Sequence, residues 1–176
     1  TVFRAKDLAN LWDIRNANTL HTTLKRYTKQ GLLFRIQKGL YSLKQPEDID
    51  PKVLGLKALH EYAYVSCETI LTEAGILHQH IPWITFVSSQ SRKFILGGYR
   101  YYSRNLGDRF LFNPAGITEK NGVRQATVER AIADLLYFNP RAYIDEAKSN
   151  ALNWRAVQDI QQQVGYDSSF AKRRSS

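Results

Sequence analysis

The 176-residue chain has no methionine, one cysteine and only five prolines. The missing methionine includes position 1, so the sequence is expected to lack the natural start of the polypeptide. Because Cys67 stands alone, an intramolecular disulfide is excluded and a reducing cytoplasm is the expected setting. No apolar run approaches the roughly 18 residues that span a bilayer, and no signal-peptide pattern opens the chain. Paired-cysteine metal motifs, Gly-rich phosphate loops and nucleophile elbows are also missing, which removes the commonest signatures of enzymes. No cofactor and no catalytic residue are expected. With 43% hydrophobic and 23% charged residues the composition is that of a folded globular protein, long enough for one ordinary domain or two small ones.

Acid is scarce at one end. Thr1–Lys44 carries nine basic residues against Asp7 and Asp13, a net +7 of the whole chain's +9. Gln45–Ser176 carries +2, and its last five residues hold Lys172, Arg173 and Arg174, so the rest of that segment is close to neutral. Charge placed this way points to a polyanion docking at the N-terminal end. A merely solvated basic surface is the alternative.

Ala5, Leu8, Ala9 and Trp12 recur at helical spacing and predict a short helix over 6–12. Asp13–Asn16 interrupts it, and a second helix is expected over 17–30, with Leu20, Leu24 and Tyr27 on its buried side and Gly31 as its stop. Residues 32–36 and 40–43 are two β-prone runs joined by Gln37-Lys38-Gly39, a hairpin pattern with glycine at the turn. Helix, turn, helix and hairpin in this order predict a winged helix-turn-helix, whose second helix lies in the major groove of DNA. At 100° per residue, Asn18, Thr22, Lys25 and Lys29 fall opposite the buried stripe, His21 and Arg26 flank them, and Thr19 lies further round. Asn18, Thr19 and Thr22, near the helix start, are expected at base edges; Lys25, Arg26 and Lys29 are expected at phosphates. Arg35, Gln37 and Lys38 would form the tip of the wing. The same pattern is open to a structural reading, in which it only packs a small α+β unit.

Residues 45–50 are polar and turn-rich and are expected to be a linker. Beyond it, Asp50 and Pro51 open a helix to about Tyr62. A strand is expected at 64–66, a helix at 68–74, and strand-like pieces at 84–87, 94–96, 99–103 and 109–112. Thr127 opens the clearest helical pattern in the chain, with Val128, Ala131, Ile132, Leu135 and Leu136 on one side and Pro140 at its end. Asn153 is expected to cap a last helix carrying Trp154, Val157, Ile160 and Val164 inward, and 168–176 is expected to be a disordered basic tail. The fold class is therefore α+β: a winged helix at 1–44, a linker at 45–50, and a mixed α/β domain at 51–167.

Several of these segments carry a resemblance. Phe3-Arg4-Ala5-Lys6-Asp7-Leu8-Ala9, the run Leu24–Leu33, Lys38-Gly39-Leu40-Tyr41 and the run Gln125–Leu136 resemble the AbiE-type (AbiEi-like) antitoxins, type IV antitoxin regulators of bacterial abortive-infection systems. The likeness extends roughly from Phe3 to Phe138, and the Thr127 helix is its most telling piece. Val128 stands where the family usually has proline, and the region after Asn139 is short beside full-length members. The resemblance implies a transcriptional repressor that binds operator DNA, with inverted repeats expected, and regulates its own toxin–antitoxin operon. It also implies a functional partner, a nucleotidyltransferase-like toxin counteracted by the second domain without a stable complex. Glu129, Arg130 and Asp134, on the polar side of the Thr127 helix, would then be an antitoxin surface, or alternatively an Arg130–Asp134 pair within the helix. Rival readings are a regulator whose second domain senses a small molecule, and a nuclease.

Three further clusters invite a functional reading that their residues do not require. His78-Gln79-His80, with Cys67 or Glu73, lacks the matching ligand pair of a metal site and reads as exposed loop histidines. Asp145-Glu146-Ala147-Lys148 has nuclease-like residue types, but they are consecutive on an expected helix, whereas Mg²⁺ ligands converge from separate elements. Lys93, Arg100, Arg104 and Arg109 with Tyr99, Tyr101 and Tyr102 form an aromatic-basic stretch suited to nucleic acid or a partner. Strand alternation, with aromatics inward and arginines outward, accounts for that stretch equally well.

Overall fold

A computed structural model describes residues 2–77, 81–144 and 152–166. The chain is α+β and divides into two compact units, one formed by Thr1–His60 with Ile95–Tyr99, the other by Glu61–Phe94 with Arg100–Ser176. The expected linker holds a 3₁₀ turn at Pro46–Asp48, and the first unit continues through the next helix to His60.

The first unit begins with a strand that the periodicity does not announce, β1 (Val2–Arg4). Helices α1 (Ala5–Leu11) and α2 (Ala17–Lys29) follow, then β2 (Phe34–Gln37) and β3 (Leu40–Ser42). The sheet order is β1-β3-β2, antiparallel throughout, with Phe3 opposite Tyr41 and Arg35 opposite Tyr41 on its other side. Gly39, at φ +78°, makes the turn that L side chains resist, and its carbonyl accepts from Ala5 N–H at 2.9 Å. Leu8, Leu24, Leu33 and Tyr41 form the core, closed by Phe3, Ala5, Trp12, Leu20 and Tyr27. Trp12 meets Tyr27 edge to face at 5.3 Å, locking α1 against α2. Asp50 caps α3 (Pro51–Leu59) by accepting from Lys52 N–H, with proline at the first helical position.

The second unit is built on a mixed six-stranded sheet in the order β6-β7-β5-β4-β9-β8. Its strands are β4 (Ala63–Val65), β5 (Trp83–Ser88), β6 (Arg92–Leu96), β7 (Tyr99–Asn105), β8 (Ile117–Lys120) and β9 (Val123–Ala126). β4 runs antiparallel to β5 and parallel to β9, while β5 runs parallel to β7. Among the described residues its helices are α4 (Glu68–Glu73), α5 (Asp108–Leu111), α6 (Val128–Phe138) and α7 (Trp154–Val164). Residues 109–112, expected as a strand, lie in and just beyond α5. Four apolar-rich residues do not distinguish the two periods, and here Phe110 and Leu111 are buried one turn after Gly107.

Helix α6 starts where Thr127 Oγ1 accepts from Arg130 N–H, and it packs against α7, α4 and β9. It is enclosed on more than one side: Arg130 through Leu136 are all buried. Its two charged interior residues are answered fully. Arg130 Nε donates to Asp134 Oδ1 at 2.8 Å, Nη1 to the carbonyls of Ala115 (2.8 Å) and Asn113 (3.2 Å), and Nη2 to Tyr64 Oη (2.7 Å) and the Phe110 carbonyl (3.3 Å). Asp134 in turn accepts from Tyr166 Oη at 2.6 Å, Ser66 Oγ at 2.7 Å and Tyr64 Oη at 3.1 Å. All five guanidinium N–H donors and both carboxylate oxygens are used, which is what makes a buried ion pair tolerable.

Candidate nucleic-acid interface

The site begins with Asn16. In extended backbone just before α2, its Oδ1 accepts from the N–H groups of Asn18 (2.9 Å) and Thr19 (3.1 Å). An asparagine directly ahead of a helical run is an N-cap signal that can be read from the sequence. The cap fixes the first turn, where Asn18 and Thr19 sit. Asn16→Ala should cost the first unit about 1 kcal/mol of stability, measured by urea denaturation; an unchanged midpoint would show that the cap does not hold the turn.

From that cap, Leu24 is buried and Leu20 and Tyr27 are partly buried on one side of α2. Asn18, Thr19, His21, Thr22, Lys25, Arg26 and Lys29 are all exposed and form one continuous surface. Thr22 Oγ1 donates to the Asn18 carbonyl at 2.9 Å. It therefore presents outward a methyl group and an oxygen able to accept. The Arg26 guanidinium lies 5.2 Å from the Tyr27 ring centre, a cation–π contact. Arg26 and Lys29 stand in the last turn, where cations complement the helix dipole. Lys25 and Lys29 are a like-charge pair at i, i+4, which costs an isolated helix a few tenths of a kcal/mol. No acidic residue occurs between Asp13 and Glu47 to offset them.

On the hairpin, Arg35 and Lys38 are exposed and Gln37 is half-buried. Arg35 pairs with Tyr41 and Gln37 with Leu40, so Ile36 is the extra residue of a bulge just before the turn. These three residues sit on a separate element from α2, within the same unit.

Elsewhere the placement differs from expectation. Arg130 and Asp134 are fully buried and Glu129 is half-buried, so the polar side of the Thr127 helix is not an exposed antitoxin surface. The i, i+4 pair is instead an interior one, and burial explains its electrostatics. Desolvation acts to lower the Arg130 pKa, but the Asp134 carboxylate and the two tyrosines outweigh it, and the net shift is upward. Burial raises the pKa of the Tyr64 and Tyr166 hydroxyls, and the Asp134 charge raises them further. Cys67 is buried, with its thiol pKa pushed up first by desolvation and then by Asp134, so it stays protonated and a poor nucleophile. Among the described residues no group of three or more His, Cys, Asp or Glu is placed to hold a metal. His78-Gln79-His80, Asp145–Lys148 and the tail at 168–176 lie outside the described residues. No helix among the described residues is long and apolar enough to cross a membrane.

By fold, the chain is an α+β protein with N-terminal helices followed by a mixed α/β unit. Compared with known proteins, it matches no family model, and no curated protein matches it.

Proposed function

We propose that the first unit is a winged helix-turn-helix that binds double-stranded DNA sequence-specifically, and that the chain acts as a transcriptional repressor. The observation that carries this reading is the exposed, acid-free face of α2. It has short polar side chains at its N-terminal end and three cations toward its C-terminal end. Asn18 would bond adenine through its amide, Thr22 would offer its methyl to thymine, and Lys25, Arg26 and Lys29 would hold phosphates and set the register. The β2–β3 turn, with Arg35 and Lys38, would grip the adjacent backbone as the wing. α1, locked to α2 through Trp12 and Tyr27, would brace the reading helix.

The resemblance of Phe3–Ala9, Leu24–Leu33 and Gln125–Leu136 to AbiE-type antitoxins supports the operon context: autoregulation of a toxin–antitoxin pair whose partner is a nucleotidyltransferase-like toxin. In this reading the chain is a binding protein and not an enzyme. Because Arg130 and Asp134 are interior, any surface that counteracts a toxin must lie elsewhere.

The test is a mobility-shift titration of the full chain with duplex from its own promoter against a scrambled duplex. Asn18→Ala should lower the promoter affinity by about 1–3 kcal/mol, the worth of one bidentate base contact, and leave the scrambled duplex nearly unaffected. Equal affinity of the parent for both duplexes would remove the sequence-specific reading. A nucleotidyltransferase gene adjoining the chain's own gene is the expected neighbourhood.

A further inference from the structure

A second meeting of rings and cations lies on the six-stranded sheet, where β6, β7 and β5 run side by side. Trp83 pairs in register with Arg100, and Thr85 with Tyr102. Trp83, Arg100 and Tyr102 therefore project from the same face. Lys93 Nζ is 5.5 Å from the Trp83 ring centre and 4.9 Å from that of Tyr102, which places it on this face too. Arg104 continues the row, 5.4 Å from Tyr102 and 5.5 Å from Phe138. Rings and cations thus alternate from the sheet to the end of α6: Trp83, Lys93, Tyr102, Arg104, Phe138. The opposite face is interior, for Tyr101 is fully buried there and stacks between Phe86 and Phe94. On the row's own face Thr85 and Val87 are buried as well, so its open part is the corner of Trp83, Lys93, Arg100 and Tyr102.

The members of the row differ in availability. Arg104 is committed to Glu68. Lys93 and Arg100 are exposed and belong to no ion pair among the described residues, while Trp83 and Tyr102 are half-buried. No acidic residue occurs anywhere between Glu73 and Asp108, the stretch that supplies all three strands. Such a surface complements a polyanion, and the rings decide which kind. In a duplex the bases are stacked on one another, so a duplex would engage the cations alone. Unpaired bases stack on aromatic rings while the flanking cations take the phosphates. Lys93, itself exposed, is held over these half-buried rings by cation–π attraction alone, and its long stem lets it swing to a phosphate as a base takes its place.

We infer that this face of the second unit binds single-stranded DNA, with bases stacked on Trp83 and Tyr102 and phosphates held by Lys93 and Arg100. None of these four side chains is a carboxylate or carboxamide, the groups best suited to accept a ribose 2′-hydroxyl proton. The one carboxylate beside the row, Glu68, is committed to Arg104, so these four contacts give RNA no preference over DNA. The site is independent of α2 and would stand whether or not the first unit reads a duplex.

Fluorescence anisotropy of the full chain with a labelled short oligo(dT) tests this. Trp83→Ala should weaken oligo(dT) binding roughly tenfold, the usual effect of removing one stacking ring. Trp83→Phe, which keeps a ring, should retain most of the affinity. The charge-reversed pair Lys93→Glu/Arg100→Glu, at exposed positions that do not threaten folding, should weaken it at least as much and flatten its salt dependence. Promoter-duplex binding should be unchanged in all three variants, and Lys25→Ala/Lys29→Ala should leave oligo(dT) binding nearly intact. Unchanged oligo(dT) affinity in the charge-reversed pair, or tighter binding of oligo(U) than of oligo(dT), would overturn the assignment. So would loss of oligo(dT) binding on Lys25→Ala/Lys29→Ala.

Discussion

Replacing Asp134 with alanine should destabilise the second unit by about 3–5 kcal/mol, the cost of stranding one charge of a buried pair. The size follows from what is left behind. Arg130 stays in the interior, charged, with its Nε unanswered, and the hydroxyls of Tyr64, Ser66 and Tyr166 lose a shared acceptor. Removing both charges removes the stranded one, so Arg130→Met/Asp134→Leu should be far less costly than Asp134→Ala alone. Urea denaturation followed by fluorescence reads this, since Trp83 and Trp154 both belong to the second unit. A midpoint for Asp134→Ala close to that of the parent would mean that the pair is not buried as described. The network also ties together residues far apart in the chain: Tyr64 of β4, Ser66 just beyond it, the 113–115 segment, α6, and Tyr166 beyond α7. Its loss should loosen the whole unit and leave the first unit's core, which shares none of these groups, intact.

The double change Lys25→Ala/Lys29→Ala should act on binding alone. Each phosphate contact contributes about 0.9 to the slope of log K against log salt, so losing two should flatten the slope by about 1.8 and weaken duplex binding by a factor of about eight each near 0.1 M salt. The loss should be similar for promoter and scrambled duplex, because phosphate contacts carry no sequence information. That separates it from Asn18→Ala, whose effect should be confined to the promoter. Stability should not fall, since both lysines are exposed and their mutual repulsion is relieved. A slope equal to the parent's would show that α2 does not lie against the DNA backbone.

How much of this is legible before the structure depends on the range of the interaction that fixes each part. α2 and the β2–β3 hairpin depend on neighbours a few residues away: a helical stripe at Leu20, Leu24 and Tyr27, a stop at Gly31 and a turn at Gly39. Periodicity and turn chemistry reveal those, and the exposed face of α2 follows from the same geometry. β1 is three residues long and exists because Val2, Phe3 and Arg4 pair with Ser42, Tyr41 and Leu40, some forty positions away. Nothing local marks it. β8 and β9 are different. Asn121-Gly122, both at positive φ, is the strongest short hairpin signal a sequence can carry. It is present in the chain, although the flanking Thr-Glu-Lys and Arg-Gln make the strands look like loop.

The Thr127 helix shows the limit most clearly. Its start, its cap and its apolar side agree with the helical pattern. Its polar side does not face solvent, because that depends on Tyr64, Ser66, Asn113, Ala115 and Tyr166, which arrive from other elements to satisfy Arg130 and Asp134. An i, i+4 charge pair looks the same on an exposed helix and a buried one until those partners are known. Trp83 escapes notice in the sequence for a related reason. Its place in the row of rings and cations is set by the parallel pairing of β5 with β7, and sequence order alone does not bring Trp83 next to Arg100.

The central claim is that the exposed face of α2 and the β2–β3 turn meet duplex DNA. Titrating the isotope-labelled full chain with promoter duplex, and following backbone amide signals residue by residue, tests it most directly. The signals of Ala17–Lys29 and of Arg35, Gln37, Lys38 and Gly39 should shift together, while those of the second unit's core around Arg130 and Asp134 stay in place. Signals in α2 that remain unmoved at saturating duplex, with shifts confined to other elements, would contradict the account.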